Sequence, residues 1–245
     1  MRVMVLGALG RVGRCIVRGV EAAADLEAAG AVDLGDDLPD AIARHVPEVG
    51  VDFTTPEAVF GNVETLLERG VHAVVGTTGL EAEQLAALDA LAREHAVGCI
   101  VAPNFALGAV LMMRFAAEAA RHFAWAEVVE RHHERKLDAP SGTARLTAKR
   151  IAVARARAEP AVRETESAPG ARGGRVEGVP VHSLRLPGSV AHQEVWFGGP
   201  SETLVLRHDA IDREVYVPGV LLAIRAVSRL RGLVSGLEPL LWPDA

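Results

Sequence analysis

Cysteine is scarce in this chain, with two in 245 residues, Cys15 and Cys99. Each lies within an apolar stretch. The pair therefore predicts buried, reduced thiols of a cytoplasmic protein, and neither a disulfide scaffold nor a thiolate metal site. Long apolar runs are also lacking. The longest near the middle, Phe105 to Met113, is cut by Arg114 and falls well short of the roughly 20 residues that a membrane span needs. The first residues read directly as a strand, without the charged-then-apolar layout of a signal peptide. Positive charge is concentrated nowhere. Against 32 acids stand 26 lysines and arginines, for a formal net charge of −6, and such a surface offers no electrostatic footprint for nucleic acid. No internal repeat is visible.

What is present is an alternation of short apolar runs and helical patterns. The run Met1 to Leu6 ends at Gly7-Ala8-Leu9-Gly10-Arg11-Val12-Gly13, and a helical pattern follows from about Arg11 to Ala24. Strand, glycine turn and helix are the context of a dinucleotide-binding fingerprint, in which backbone approaches a pyrophosphate over a helix N-terminus. The spacing G-x-x-G-x-x-G is a variant of the usual one. After a strand at Leu26 to Val32 comes Asp33, where an acid is expected to hold the adenosine ribose hydroxyls. Asp33 equally reads as the opening of an acidic loop, Asp33 to Asp37. Arg11, inside the glycine turn, is a candidate partner for a 2′-phosphate.

Further strands are expected at Val49 to Phe53, His72 to Val75 and Gly98 to Ala102, with helices at about Pro56 to Glu68 and Glu81 to His95. This pattern predicts an α/β fold, a Rossmann-type doubly wound parallel sheet. Small and polar clusters follow the strands: Thr54-Thr55, Gly76-Thr77-Thr78-Gly79 and Ala102-Pro103-Asn104-Phe105. In such sheets ligands lie beyond the carboxyl ends of the strands. From about residue 107 the pattern changes to a helix, a strand from Ala126 and a helix from Ala144 to about Ala158. A Pro- and Gly-rich loop from Glu159 to Gly178 leads to three strands of antiparallel character, Val181 to Leu186, Gln193 to Gly198 and Thr203 to Asp209. Residues 107–216 thus predict a second α+β domain with a mixed or antiparallel sheet, and 217–245 a return to complete the first domain, 1–106.

The most chemically loaded stretch is Glu130-Arg131-His132-His133-Glu134-Arg135-Lys136-Leu137-Asp138-Ala139-Pro140-Ser141-Gly142-Thr143-Ala144. On a continuing strand, His132 and His133 would point to opposite faces and serve different purposes. Paired histidines at a strand end are commonly only solvated polarity. Here they come with Lys136, and with Ser141 to Thr143 at the start of a helix, where unpaired N–H groups suit a carboxylate or phosphate. Histidine, and a lysine of lowered proton affinity, are suited to general acid work.

This stretch resembles the signature of the dihydrodipicolinate reductase family, enzymes of the diaminopimelate route to lysine. Asp52-Phe-Thr-Thr-Pro56, Gly76-Thr-Thr-Gly79, Ala102-Pro-Asn-Phe105 and Arg185-Leu-Pro-Gly-x-Val-Ala-His-Gln-Glu194 resemble family segments in family order. The resemblance implies hydride transfer from a reduced nicotinamide to C4 of a cyclic dicarboxylate, with loss of water. It assigns His132 as proton donor or acceptor, Lys136 as second proton donor, and His133, Gly142 and Thr143, with Ser141 beside them, to the substrate. Cofactor contacts carry over to Gly7, Ala8, Leu9, Gly10, Arg11, Val12, Asp33, Gly76, Thr77, Thr78, Ala102, Pro103, Asn104 and Phe105. It further implies a homotetramer built through the sheets of the second domain, and no metal.

The chain departs from the family pattern at Leu9, where some relatives place a basic residue, and it is short between Asp33 and Asp52. With Arg11 alone to meet a 2′-phosphate, use of both NADH and NADPH is expected, with NADH at least as good. Three rival readings remain: a catalytically silent nicotinamide-binding sensor, another two-domain dehydrogenase acting on a different small acid, and a metal-dependent hydrolase using His132, His133 and Asp138. The sensor has no use for Lys136 or the Ser141 turn. Histidines on opposite strand faces are poor joint ligands.

Overall fold

The computed structural model describes residues 1–156 and 165–243. The chain divides into two compact units, one formed by Met1–Leu107 and Arg213–Ala245, the other by Gly108–Asp212. In chain order the first unit begins β1 (Arg2–Leu6), α1 (Gly13–Glu21), β2 (Glu27–Val32), α2 (Leu38–His45), β3 (Val49–Asp52), α3 (Val59–Glu68), β4 (His72–Val75), α4 (Ala82–Glu94) and β5 (Gly98–Val101). Next come α5 (Leu107–Ala119), β6 (Trp125–His132), α6 (Gly142–Ala154), β7 (Gly174–Val176), β8 (Val179–Arg185), β9 (Ala191–Gly199) and β10 (Glu202–Ala210). The chain then completes the first unit with a 3₁₀ turn at Arg213–Tyr216, α7 (Val217–Val227), β11 (Gly232–Ser235) and α8 (Glu238–Leu241).

The first unit holds a six-stranded sheet in the order β11-β5-β4-β3-β1-β2, with every pairing parallel. Its strands are short, nearly continuous apolar runs because helices cover both faces. On one face Met4, Leu6, Ala73, Val75 and Cys99 pack with Val63, Leu66 and Leu67 of α3 and Leu88 and Ala92 of α4. Strand β1 lies between β2 and β3, so the chain leaves β1 toward β2 and leaves β3 toward β4, in opposite directions. Leu6 pairs with both Val32 and Asp52. The turns starting at Gly7, Asp33 and Phe53 consequently emerge side by side at the switch point, the position at which such sheets bind ligands.

The second unit holds a mixed sheet, β10-β9-β6-β8-β7. Strand β6 is parallel to β8 and antiparallel to β9. Helices α5 and α6 supply Met112, Ala116, Ala148 and Ile151 to a core shared with Val128, Val181, Val195 and Phe197 of the sheet.

Helices α2 and α8, strands β7 and β11 and the 3₁₀ turn at Arg213–Tyr216 were absent from the sequence expectation. Helix α2 follows the acidic loop and is capped by Asp37, whose side chain accepts from the Asp40 amide at 2.9 Å, with a proline in its first turn. Strand β11 adds to the edge of β5. Strand β7 occupies part of the stretch read as a loop from Glu159 to Gly178 and pairs with β8. Helix α6 starts at Gly142 and ends at Ala154. The expected continuation to Ala158 and the start of the loop at Glu159 fall on 157–164, outside the described residues.

Candidate active site

The carboxyl end of the parallel sheet carries two cavities. One, of about 470 Å³, is lined by Gly7, Gly10, Asp33, Leu34, Asp36 and Phe53 among others. The second, of about 400 Å³, is lined by Gly10, Arg11, Val12, Thr54, Gly76, Thr77, Thr78 and Arg213 among others. Gly7 adopts a φ of +77°, and a Cβ there would run into the carbonyl of Phe53. A Cβ on Gly13 would run into the carbonyl of Gly7. These glycines let the turn fold tightly at the switch point. The Gly7 amide donates to Val32 O at 2.9 Å and the Gly10 amide to Gly7 O at 3.0 Å.

Asp33 ties this turn to the end of β2. Its Oδ1 accepts from the Leu34 amide at 2.8 Å and its Oδ2 from the Leu9 amide at 2.7 Å. Those two backbone donors, Leu34 first, hold its carboxyl below the usual carboxylate range, with the charge of Arg14 contributing. Both readings of Asp33 therefore meet: it opens the acidic loop, and it places a fixed negative charge beside the glycine turn. Arg11 lines the other cavity. The sequence sets the two residues side by side as opposing cofactor preferences, whereas the fold sends them to different pockets.

Asp52, at the end of β3, is fully buried. Its Oδ1 accepts from Thr54 N (3.1 Å), Thr54 Oγ1 (2.8 Å) and Thr77 Oγ1 (2.6 Å), and its Oδ2 from Asn62 Nδ2 (2.9 Å). Four neutral donors thus satisfy a buried carboxylate and fasten Thr77 to the switch point. A Cβ on Gly76 would strike the Phe53 ring, and that ring lies 5.7 Å from the Phe105 ring, centroid to centroid. Ala102 donates to Val75 O at 3.0 Å, and Asn104 Oδ1 accepts from the Ala106 amide at 2.8 Å. Ala102, Pro103, Asn104 and Phe105 thus follow β5 at the same sheet edge without lining either cavity described above.

The second unit carries the histidine motif. Strand β6 reaches His132, so Glu130 and His132, two apart, share one face. Glu130 is fully buried, and its Oε2 lies 2.5 Å from His132 Nδ1. Arg185, at the end of the neighbouring strand β8, grips the same carboxylate from both sides, Nη1 to Oε2 at 3.0 Å and Nη2 to Oε1 at 2.8 Å. The Ser141 amide donates to Oε1 at 3.2 Å. Burial alone would push the Glu130 carboxyl up; the bonds from His132, Arg185 and Ser183 outweigh it and hold it down at about 2.

Arg185 spends its remaining donors on backbone: Nε on Lys136 O (3.3 Å), Nη1 on Leu184 O (2.8 Å) and Nη2 on Asp138 O (2.6 Å). All five guanidinium N–H groups are therefore used. One side chain pins the 136–138 segment to the carboxylate that also holds His132 and Ser141. Lys136 Nζ donates to Asp138 Oδ1 at 2.7 Å. Burial of Asp138 pushes its carboxyl up, but the ammonium of Lys136 prevails and lowers it.

Ser141 is the N-cap of α6, its Oγ accepting from the Ala144 amide at 3.3 Å and its carbonyl from the Arg145 amide at 2.9 Å. Gly142 and Thr143 begin the helix, and a Cβ on Gly142 would have nothing within 4 Å. That open space above a helix N-terminus suits an anion. Thr147 Oγ1 donates to Thr143 O at 2.8 Å and accepts from Gln193 Nε2 at 2.7 Å, backing the helix start from the core. His133 lies just past β6, half-buried. Among the described residues no group of three or more His, Cys, Asp or Glu is arranged to hold a metal ion.

The fold thus gathers His132, Lys136 and Ser141 around the Glu130–Arg185 pair in one unit, and Gly7, Gly10, Arg11, Val12, Asp33 and Gly76 to Thr78 around two cavities in the other, with Ala8 and Leu9 lining neither. Glu130, Arg185, Asp52 and Arg213 were not among the residues singled out for function. Glu130, Asp52 and Arg185 stand in the segments that carried the resemblance, which is the one signal that could have drawn attention to them.

The family profile described as dihydrodipicolinate reductase, N-terminus, matches residues 1–105, and that described as dihydrodipicolinate reductase, C-terminus, matches 108–241. The 4-hydroxy-tetrahydrodipicolinate reductase of Mycobacterium marinum is 53% identical over 243 residues, 98% of this chain and 99% of that one. The enzyme of the same name from Mycolicibacterium smegmatis is 51% identical over an equal length and share. A solved structure of dipicolinate-bound dihydrodipicolinate reductase from Paenisporosarcina sp. TG-14 superposes with a TM-score of 0.87 at 39% identity, over 97% of this chain and 98% of that one. With both units matched in order and nearly end to end, the chain belongs to the dihydrodipicolinate reductase family, oxidoreductases that use a nicotinamide dinucleotide.

Proposed function

We propose that this chain reduces 4-hydroxy-tetrahydrodipicolinate to tetrahydrodipicolinate, with release of water, in the diaminopimelate route to lysine. The observation that carries the reading is the Glu130–Arg185 pair, which organises a histidine, a lysine-bearing segment and an open helix N-terminus from residues 55 apart in sequence. The substrate is a dianion, and His133, Lys136 and the amides of Gly142 and Thr143, with Ser141 capping them, are the donors that hold its carboxylates. His132 and Lys136 deliver the proton that accompanies hydride addition at C4. The reduced nicotinamide supplies that hydride. Gly7, Ala8, Leu9, Gly10, Arg11 and Val12 hold the dinucleotide by its pyrophosphate, with Gly76 to Thr78 and Ala102 to Phe105 along the same sheet edge.

Both NADH and NADPH serve, with NADH at least as good. Support comes from the cavity that Asp33 lines, which contains two acids, Asp33 and Asp36, and no lysine or arginine among its described lining residues. A ribose hydroxyl donates to such a carboxylate, whereas a 2′-phosphate is repelled by it. We further infer a homotetramer assembled through the sheet of the second unit, where Trp196 and Val205 are exposed and Trp125, Trp196 and Phe197 line an open hollow of about 540 Å³. We place the enzyme in the cytoplasm. No described helix is long and apolar enough to cross a membrane.

The test is a spectrophotometric assay of NADH and NADPH oxidation with the product of the preceding synthase, alongside His132→Gln and Lys136→Ala. Full activity in both variants would remove the assigned acids, and a large preference for NADPH in kcat/KM would overturn the cofactor reading. Sedimentation equilibrium at any mass but that of four chains would refute the assembly.

A further inference from the structure

The imidazole of His132 can meet the Glu130 carboxylate in only one way. An ionised carboxylate accepts hydrogen bonds and donates none. Its Oε2 lies 2.5 Å from His132 Nδ1, so Nδ1 must carry a proton whether the ring is neutral or charged. Glu130 is kept in its ionised form by what surrounds it: the two bonds from Arg185 and the Ser141 amide. Unlike a surface pair, these partners are fixed. The carboxylate is fully buried, and the guanidinium is immobilised by three further backbone carbonyls. The register of β6 against β8, which pairs Glu130 with Ser183 and His132 with Arg185, sets the arrangement.

We propose that Glu130, clamped by Arg185, is a positioning residue that keeps Nδ1 of His132 protonated, so that Nε2 of the imidazolium is the atom that gives its proton to the substrate and the ring left behind is the neutral Nδ1–H tautomer. The inference rests on the reading of His132 as proton donor. Free histidine favours the opposite neutral tautomer, so without this carboxylate the ring would present a protonated Nδ1 for only part of the time and would be free to turn. Glu130 itself is fully buried. Its effect is exerted through the ring.

The direct test is histidine-labelled ¹⁵N magnetic resonance of the whole enzyme at a pH where His132 is neutral, its signals identified by their absence from His132→Gln. The expected result is the Nδ1–H tautomer, and an Nε2–H ring overturns the proposal without any variant having to fold. Kinetics supply the second arm. Glu130→Gln should lower kcat about 10-fold or more, a part of the contribution that a general acid makes, with NADH binding unchanged. The double variant Glu130→Gln/His132→Gln should be no slower than His132→Gln alone, since residues acting as one unit are not additive. A double variant slowed by the product of the two single factors overturns the proposal. Full kcat in Glu130→Gln, with His132→Gln impaired, overturns the positioning role alone. Full kcat in His132→Gln overturns the proton-donor reading together with what is built on it.

Discussion

Acid should strip this fold of a definable amount of stability through one residue. Glu130 is held at about 2 in the folded chain against an ordinary value of 4.5. A carboxyl whose proton affinity is depressed by folding contributes stability that is fully present above its unfolded value and is lost as the pH falls through the folded one. At about 1.4 kcal/mol per unit, the depression is worth about 3 kcal/mol at neutral pH. In urea unfolding at fixed protein concentration, wild type should exceed Glu130→Gln by about 3 kcal/mol at pH 7. That gap should stay constant down to about pH 4.5 and shrink toward zero near pH 2. Other depressed carboxyls, such as Asp33 and Asp209, titrate in both proteins and cancel in the difference. A gap that is the same at every pH, or widens on acidification, would mean that the Arg185 grip does not hold Glu130 ionised, and the reasoning above would be wrong.

Three further outcomes are expected. Gly142→Ala places a methyl where the protein has nothing within 4 Å; its thermal midpoint should be unchanged or higher, while the KM for substrate rises about 10-fold if a ligand carboxylate lies against the helix start. A lowered midpoint with unaltered KM would place the anion elsewhere. Asp33→Ala removes the acceptor of the Leu9 and Leu34 amides and should raise the KM for NADH more than that for NADPH, so that the ratio of their kcat/KM values moves toward NADPH; an unchanged ratio refutes the ribose role. Asp52→Asn sets an amide N–H₂ against one of the hydroxyl and amide donors now satisfied by the carboxylate. It should cost about 2 kcal/mol in unfolding measurements and weaken NADH binding through Thr77, and full stability with normal binding would show the network to be dispensable.

The parallel sheet was legible because its strands are buried on both faces and their apolar runs are local and uninterrupted. The turns that follow them were legible for the same reason, since a glycine forced to a φ of +77° at Gly7 is written into the sequence at that position. Helix α2 was not legible. Its eight residues follow directly on an acidic loop, and its start signals are a capping aspartate, Asp37, hard to tell from the acids beside it, and one proline in the first turn. Strand β11 is four residues long and becomes a strand only because the edge of β5 is there to receive it.

The site divides along the same line. Ser141, Gly142 and Thr143 could be read from the sequence because cap chemistry depends on neighbours one to three residues away. Strand β6 ends at His132, so the period of a strand says nothing of His133. The partners of Ser141 and His132 could not be read that way. Glu130 meets Arg185 because β6 and β8 pair in parallel with a particular register. Sliding β8 by one residue would turn the guanidinium to the opposite face, leaving the same motif with a buried carboxylate and no cation. The motif therefore names the groups, while the carboxylate and guanidinium that His132 and Ser141 meet are brought to them by a strand pairing that no local spacing records.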